Sequence, residues 1–282
     1  MSDISTRIAT GIVFLIVMIG GTVWGETSYL VIFSLVTMLC INEYHNITNK
    51  VVQSIEHKTL YKFINTIFAA IIFLIVYLVA SNRVDVIYLS FIGGFTLSWF
   101  FIELYTKSKS PFISIAVNSM GLFYIAIPFS AASFIAYYTG EYNWNLLLAV
   151  MFFAWANDSF AYLFGSKLGK HKLFERISPK KTWEGFFGGI FGTVVFSYIV
   201  YLLFPEWSHQ DIAYKHYFIL AILTSIASTY GDLAESMIKR NLEIKDTGNT
   251  LPGHGGFLDR FDGLIFSFPV ATLYLTFISD LK

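Results

Sequence analysis

Charge is scarce in this sequence. Only 13% of its 282 residues are Asp, Glu, Lys or Arg, about half the share of an average soluble domain, which is too little to cover a water-facing surface. Cysteine is scarcer still: Cys40 stands alone, which excludes a disulfide scaffold and a cysteine-rich zinc site. Neither sign of charge is in excess, with 19 basic and 19 acidic residues, and no nucleic-acid partner is expected. In place of charge, hydrophobic residues make up 55%. That content excludes disorder and leaves an all-α polytopic membrane protein as the expected class.

A helix needs roughly 20 mostly apolar residues to cross about 30 Å of hydrocarbon. About nine such stretches are expected, at 8–25, 28–42, 60–80, 84–105, 112–138, 144–164, 184–204, 216–236 and 261–279. The second is short. The fifth is long and contains Pro128, which predicts a kink or a split. The runs are continuous and not alternating, so helices are preferred to a barrel. No small-residue cleavage pattern follows the first run, which is therefore read as a retained helix. Every gap is short, so no sizeable soluble domain is expected. The chain divides into N-terminal spans, 1–140, and a C-terminal region, 141–282, with cytoplasmic segments at 165–183 and 237–260.

The basic residues fix an expected orientation. Sixteen fall at the N-terminus and in alternate gaps, and three (Arg83, Lys215 and Lys282) fall on the other side. By the positive-inside rule the N-terminus is cytoplasmic and the C-terminus lies outside.

Acids inside apolar spans are costly and by default point to function. Asp158 follows Asn157 in the sixth span. Asp232, Glu235 and Ser236 share one helical face in the eighth, and a structural ion pair inside a bundle is the plain alternative for each acid. Glu43 and Glu103 sit at span ends, where an interfacial or solvated position is expected. Residues 231–263 gather acids, bases and a glycine-rich turn between two spans. Pro252-Gly253-His254-Gly255-Gly256 is a side-chain-poor loop whose N–H groups can approach an anion. Asp259 and Asp262 lie one helical turn apart. Lys239, Arg240, Lys245 and Arg260 offer phosphate-binding charge. Together these describe metal-assisted phosphoryl or nucleotidyl transfer, with a hard cation on one or two carboxylates plus phosphates and water. His254 serves either in proton transfer or as a hydrogen-bonding group. Segment 165–185 carries six basic residues and ends in Ser178-Pro179-Lys180-Lys181-Thr182 before an expected helix start, where hydroxyls and lysines suit an anion. A headgroup-facing topology anchor also explains its charge.

Ser236-x-x-Lys239-Arg240, Lys245-Asp246, Pro252-Gly253-His254-Gly255-Gly256 and Asp259-Arg260-x-Asp262 together resemble the signature of the phosphatidate cytidylyltransferases, or CDP-diacylglycerol synthases. Asn157-Asp158-Ser159-x-Ala161-Tyr162 and Ser178-Pro179-Lys180-Lys181-Thr182-x-Glu184-Gly185 also resemble segments of that family. The matched motifs cover residues 155–263; the first 140 residues resemble it only in hydropathy and span number. The resemblance implies an inner-membrane homodimer that condenses CTP with phosphatidic acid to CDP-diacylglycerol and pyrophosphate. It implies Mg²⁺, with K⁺ as the expected second cation, on carboxylates at Asp232 and Asp259; from its place one turn on, Asp262 is expected to assist them. Asp246 is expected to orient a lysine or reach the nucleotide. Substrate contacts are expected from Asn157, Asp158, Ser178, Lys180, Lys181, Thr182, Ser236, Gly253, Gly255 and Gly256.

Two other readings use the same spans. A CTP-dependent lipid kinase of the polyprenol or phytol kind attacks the γ-phosphorus and releases CDP in place of pyrophosphate. A transporter places its acids near mid-span, whereas here they fall towards the expected cytoplasmic ends.

Overall fold

The structure is a computed structural model that describes residues 2–51, 58–106, 108–204, 212–251, 253 and 255–279. It is almost entirely helical: α1 (Ser2–Val23), α2 (Glu26–Val51), α3 (Lys58–Ala80), α4 (Ser90–Thr106), α5 (Pro111–Gly121), α6 (Ile127–Ala136), α7 (Trp144–Leu168), α8 (Trp183–Leu203), α9 (Tyr214–Asn241) and α10 (Leu258–Ser279). Among the described residues eight helical columns are long and apolar enough to cross a membrane, and α1 adds a shorter apolar stretch, Ile8–Val23. The chain is a polytopic membrane protein.

The helices outrun the hydrophobic runs. α2 continues to Val51 through Asn42, Asn46 and Asn49, and α9 continues to Asn241 through Lys239 and Arg240. Backbone hydrogen bonding does not stop where side chains turn polar, so a hydropathy window marks the hydrocarbon and not the helix. The fifth column holds Pro128 as expected. It answers the missing N–H with a π segment, Leu122–Ala126, between α5 and α6, the usual way a helix absorbs such a fault.

Two compact units are present. The first comprises Met1–Phe134 with Ile244–Arg260, and the second Ile135–Glu243 with Phe261–Lys282. In the first unit Tyr61 and Trp99 meet edge to face, 5.4 Å between ring centroids, with Phe68 against them. A buried polar knot accompanies them: Asn65 Nδ2 lies 2.7 Å from His45 Nε2 and donates to the Asn118 carbonyl at 2.9 Å. Tyr29 reaches Ser133, 2.9 Å away. Arg83 lies outside the spans and pairs with Glu26; hydrogen bonds to Glu26 and Tyr77 raise its guanidinium above the ordinary arginine value.

In the second unit α7 and α8 pack through small residues. Gly185, Gly188, Gly189 and Gly192 line one face of α8. A Cβ on Gly188 would strike the ring of Phe164, one on Gly192 the ring of Phe160, and one on Gly189 would lie 2.6 Å from Asn157 Oδ1. Such small-residue contacts let membrane helices approach closely where no hydrophobic effect drives them together. Phe153 and Tyr217 close the core edge to face.

Between α7 and α8 lies a feature that hydropathy did not disclose, a two-stranded antiparallel hairpin of β1 (Lys172–Phe174) and β2 (Ser178–Thr182). Its base is tied by Glu184, whose carboxylate accepts from the Lys170 N–H at 3.0 Å and the His171 N–H at 3.2 Å and meets His171 Nδ1 at 2.6 Å. Thr182 caps α8, its Oγ1 accepting the Gly185 N–H at 3.2 Å.

Candidate functional site

Strand alternation splits the two expected lysines. Successive side chains of β2 point to opposite faces, leaving Lys180 exposed and turning Lys181 inward. Lys181 Nζ lies 2.7 Å from Asp232 Oδ2 and 3.4 Å from the Thr229 carbonyl. The pair is only partly solvated, with side-chain exposures of 23% for Lys181 and 32% for Asp232. The other Asp232 oxygen accepts from Ser236 Oγ, one turn on, at 3.1 Å. Both oxygens of Asp232 are thus aimed by neighbours.

Two further aspartates join it. Gly231 on α9 faces the Asp262 carbonyl, and Gly263 on α10 faces the Ser228 hydroxyl, each with no room for a Cβ. This crossing brings Asp262 within electrostatic range of Asp232 and Asp158, and beside Glu235. Asp262 Oδ1 also accepts the Gly263 N–H at 2.7 Å. Asp158 interacts with Asn157, Ser228, Asp232 and Lys181. Asn157 itself is fully buried and donates to Thr229 Oγ1 at 3.0 Å, which ties α7 to α9. Lys239 meets Glu235 one turn away at 3.4 Å. Four carboxylates therefore share this neighbourhood with two ammonium groups. Arg240 is exposed, its Nε 3.5 Å from the Ile177 carbonyl at the hairpin. Ser178 opens β2, half-buried, and Thr182 Oγ1 is occupied by its capping bond.

The remaining candidates lie in the first unit. The Asp259 carboxylate organises the loop before it: Oδ2 accepts the Thr247 N–H at 2.9 Å, Thr247 Oγ1 at 3.0 Å and the Gly256 N–H at 2.8 Å. The anion met by the Gly256 N–H is therefore Asp259 itself. Gly253 and Gly255 have φ of 74° and 84°, a region glycine enters without steric cost. Leu251 and Gly255 form an isolated bridge there, the Leu251 N–H donating to the Gly255 carbonyl at 3.0 Å. Lys245, Asp246 and Arg260 are exposed. His254, like Pro252, lies outside the described residues.

Two residues, Glu43 and Glu103, correct an expectation. Glu43, expected at an interface, is 5% exposed. It accepts from Thr247 Oγ1 at 3.2 Å, from the Leu258 N–H at 2.9 Å, and from Thr250 Oγ1. Glu43 and Asp259 thus converge on one hydroxyl, that of Thr247. Glu103 is equally buried, beside Thr106. A carboxylate at the end of an apolar run looks interfacial until a distant loop is known to cover it. The α8 glycines also escaped attention, although their spacing was a visible signal for close helix packing.

The donor set bears on a hard cation. Among the described residues no three His, Cys, Asp or Glu side chains form a cage that could hold a metal ion. Mg²⁺ does not require one, since it keeps waters and takes one or two carboxylates with phosphates completing its shell. Aimed aspartate oxygens in excess over ammonium groups fit that demand.

Comparison with known proteins follows the same direction. Residues 5–278 match the cytidylyltransferase family. A phosphatidate cytidylyltransferase of Thermotoga maritima is 38% identical over 167 residues, 59% of this chain and 60% of that protein. Proteins of the same name are 36% identical in Staphylococcus saprophyticus, over 60% of this chain and 62% of theirs, and 36% identical in Staphylococcus epidermidis, over 70% and 72%. The chain thus spans about three fifths of the length of the first two of these relatives. With a match that runs through every helix described above, the chain belongs to the cytidylyltransferase family.

Proposed function

We propose that the chain is a CTP-dependent nucleotidyltransferase of the cytoplasmic membrane, acting on phosphatidic acid as the phosphatidate cytidylyltransferases similar to it do by name. The observation that carries this reading is the convergence of Asp158, Asp232 and Asp262 with Lys181 in a membrane helix bundle. In the proposed step an oxygen of the lipid phosphate attacks the α-phosphorus of CTP. The bond from that phosphorus to the β-phosphate oxygen breaks, and pyrophosphate leaves with the electron pair. The nucleophile is already an anion, so no base is required, and His254 is assigned hydrogen bonding to phosphate.

Lys181 meets phosphate charge on one side and holds Asp232 in register on the other. Lys180, Lys239 and Arg240, with Lys245 and Arg260 beside the loop, hold the remaining phosphate oxygens. Asp232 and Asp262, and separately Asp259, are the residues that would hold Mg²⁺, with K⁺ as a second ion; a cation bound there would supply neutralisation of phosphate charge. The excess of basic residues in alternate gaps supports a site facing the cytoplasm. A homodimer belongs to the same reading.

The test is label transfer. Purified protein is given phosphatidic acid, Mg²⁺ and CTP labelled at the α- or the γ-phosphate. Label from the α position in the lipid, with pyrophosphate released, is the expected outcome. Label from the γ position would make the chain a lipid kinase, and label from neither would remove the nucleotidyl-transfer reading.

A further inference from the structure

The first unit holds a cavity of about 470 Å³ where α2 ends and α3 begins. Asn42, Asn46 and Asn49 line it from one face of α2, Lys58 and Lys62 from the first turns of α3, together with Phe63 and two threonines. Among the described residues eight side chains line it and none of these is acidic. Both lysines are held by neutral oxygens: Lys58 Nζ donates to the Asn49 carbonyl at 2.5 Å and Lys62 Nζ to Asn46 Oδ1 at 2.9 Å. Such bonds position an ammonium group without cancelling its charge. The start of α3 adds the partial positive charge of a helix N-terminus. The pocket is thus cationic, rich in hydrogen-bond donors, and large enough for a phosphoglycerol group.

Its place in the spans narrows the occupant. α2 and α3 both have membrane-crossing length, and the cavity lies at one end of both, where a spanning helix of that length would meet headgroups. Phe63, on the cavity rim, is 62% exposed. It begins an exposed apolar file along α3, continued by Ile67, Ile71 and Leu74 at helical spacing. A cationic, amide-lined cup that opens onto an apolar stripe matches a phosphate head joined to acyl chains. A soluble nucleotide would leave the stripe unused. The pocket shares no residue with the Asp158–Asp232–Asp262 cluster or with the Glu43–Asp259 network.

We propose that this pocket binds the phosphate headgroup of an anionic membrane phospholipid. Basic pockets between membrane helices are a recurrent means of holding such headgroups, and here the lysines supply the charge while the asparagine amides read the phosphate and glycerol oxygens. The proposal stands whether or not the reaction above is correct.

The full chain in detergent is exchanged into mixtures of phosphatidylglycerol and phosphatidylcholine, and retained lipid is counted by native mass spectrometry. Wild-type protein is expected to retain phosphatidylglycerol preferentially. Lys58→Gln or Lys62→Gln should weaken retention about fivefold, and the double variant about thirtyfold. Asn46→Asp gives Lys62 a carboxylate in place of an amide, so it should keep the thermal melting of the wild type and still lose the lipid. That variant carries the test if the lysine variants do not fold. Glycerol 3-phosphate and inorganic phosphate at millimolar concentration should fail to displace the lipid. Equal retention of the two lipids, unchanged retention in Asn46→Asp, or displacement by inorganic phosphate alone would each overturn the proposal.

Discussion

Glu43→Ala tests the account of the glycine loop most directly. Glu43 is buried, and its carboxylate accepts from Thr247, Thr250 and the Leu258 N–H. A hydrogen bond to a charged group contributes about 1.5–3 kcal/mol. Three such bonds give an upper figure of about 4.5–9 kcal/mol. Removing the carboxylate also relieves its own desolvation, and neighbouring bonds are not additive, so a cost just below that range, about 4 kcal/mol, is expected. That corresponds to roughly three decades in the local opening equilibrium. Glu43→Gln keeps the shape and one acceptor and should lose about half as much, near thirtyfold. The assay is amide hydrogen exchange of the peptide covering 244–260, with peptides from α7 to α9 as an internal reference. The loop should lose protection in Glu43→Ala while the reference peptides keep theirs. Protection within about threefold of wild type would refute the claim that Glu43 holds the loop.

Three further outcomes are expected. Lys181→Met leaves Asp232 without its 2.7 Å partner and should lower label transfer from CTP by at least about a hundredfold, with the melting temperature little changed; full activity would remove Lys181 from the site. Asp232→Asn should cut turnover by a similar factor and flatten its dependence on Mg²⁺ concentration, whereas an unaltered Mg²⁺ titration would exclude Asp232 as a cation ligand. Gly192→Leu drives a side chain into the Phe160 ring and should destabilise by about 1–3 kcal/mol or more, read as a lowered midpoint in thermal unfolding; an unchanged midpoint would mean that α7 and α8 do not pack through this face.

The spans were legible because hydrocarbon admits little besides long apolar helices. Their ends were not, since α2 and α9 continue through asparagines, lysine and arginine once past the apolar run. Asp158 and Asp232 stood out individually as costly carboxylates, and Asp262 as the neighbour of Asp259 one helical turn on. Their shared neighbourhood with Lys181 did not, because it depends on Gly231 and Gly263 at a helix crossing and on the side to which β2 turns. A hairpin with strands of three and five residues leaves almost no periodic signal. Glu43 was misplaced for a related reason. Its partners lie about two hundred residues along the chain, and a local window cannot see a cover that arrives from so far.

The glycine face of α8 has a consequence for how this helix knows which way to turn. Away from the face of Gly185, Gly188, Gly189 and Gly192, the side chains of Phe187, Phe191, Val195, Tyr198 and Leu202 stand exposed at helical spacing. Both faces are apolar, so polarity gives the helix no preferred rotation in a lipid solvent. Bulk does: the side with no side chains can be filled only by a neighbouring helix, and the side with large ones can be wetted by acyl chains. Inside and outside are written on α8 as volume, and a substitution that preserved every hydropathy value while exchanging small for large would turn the helix around.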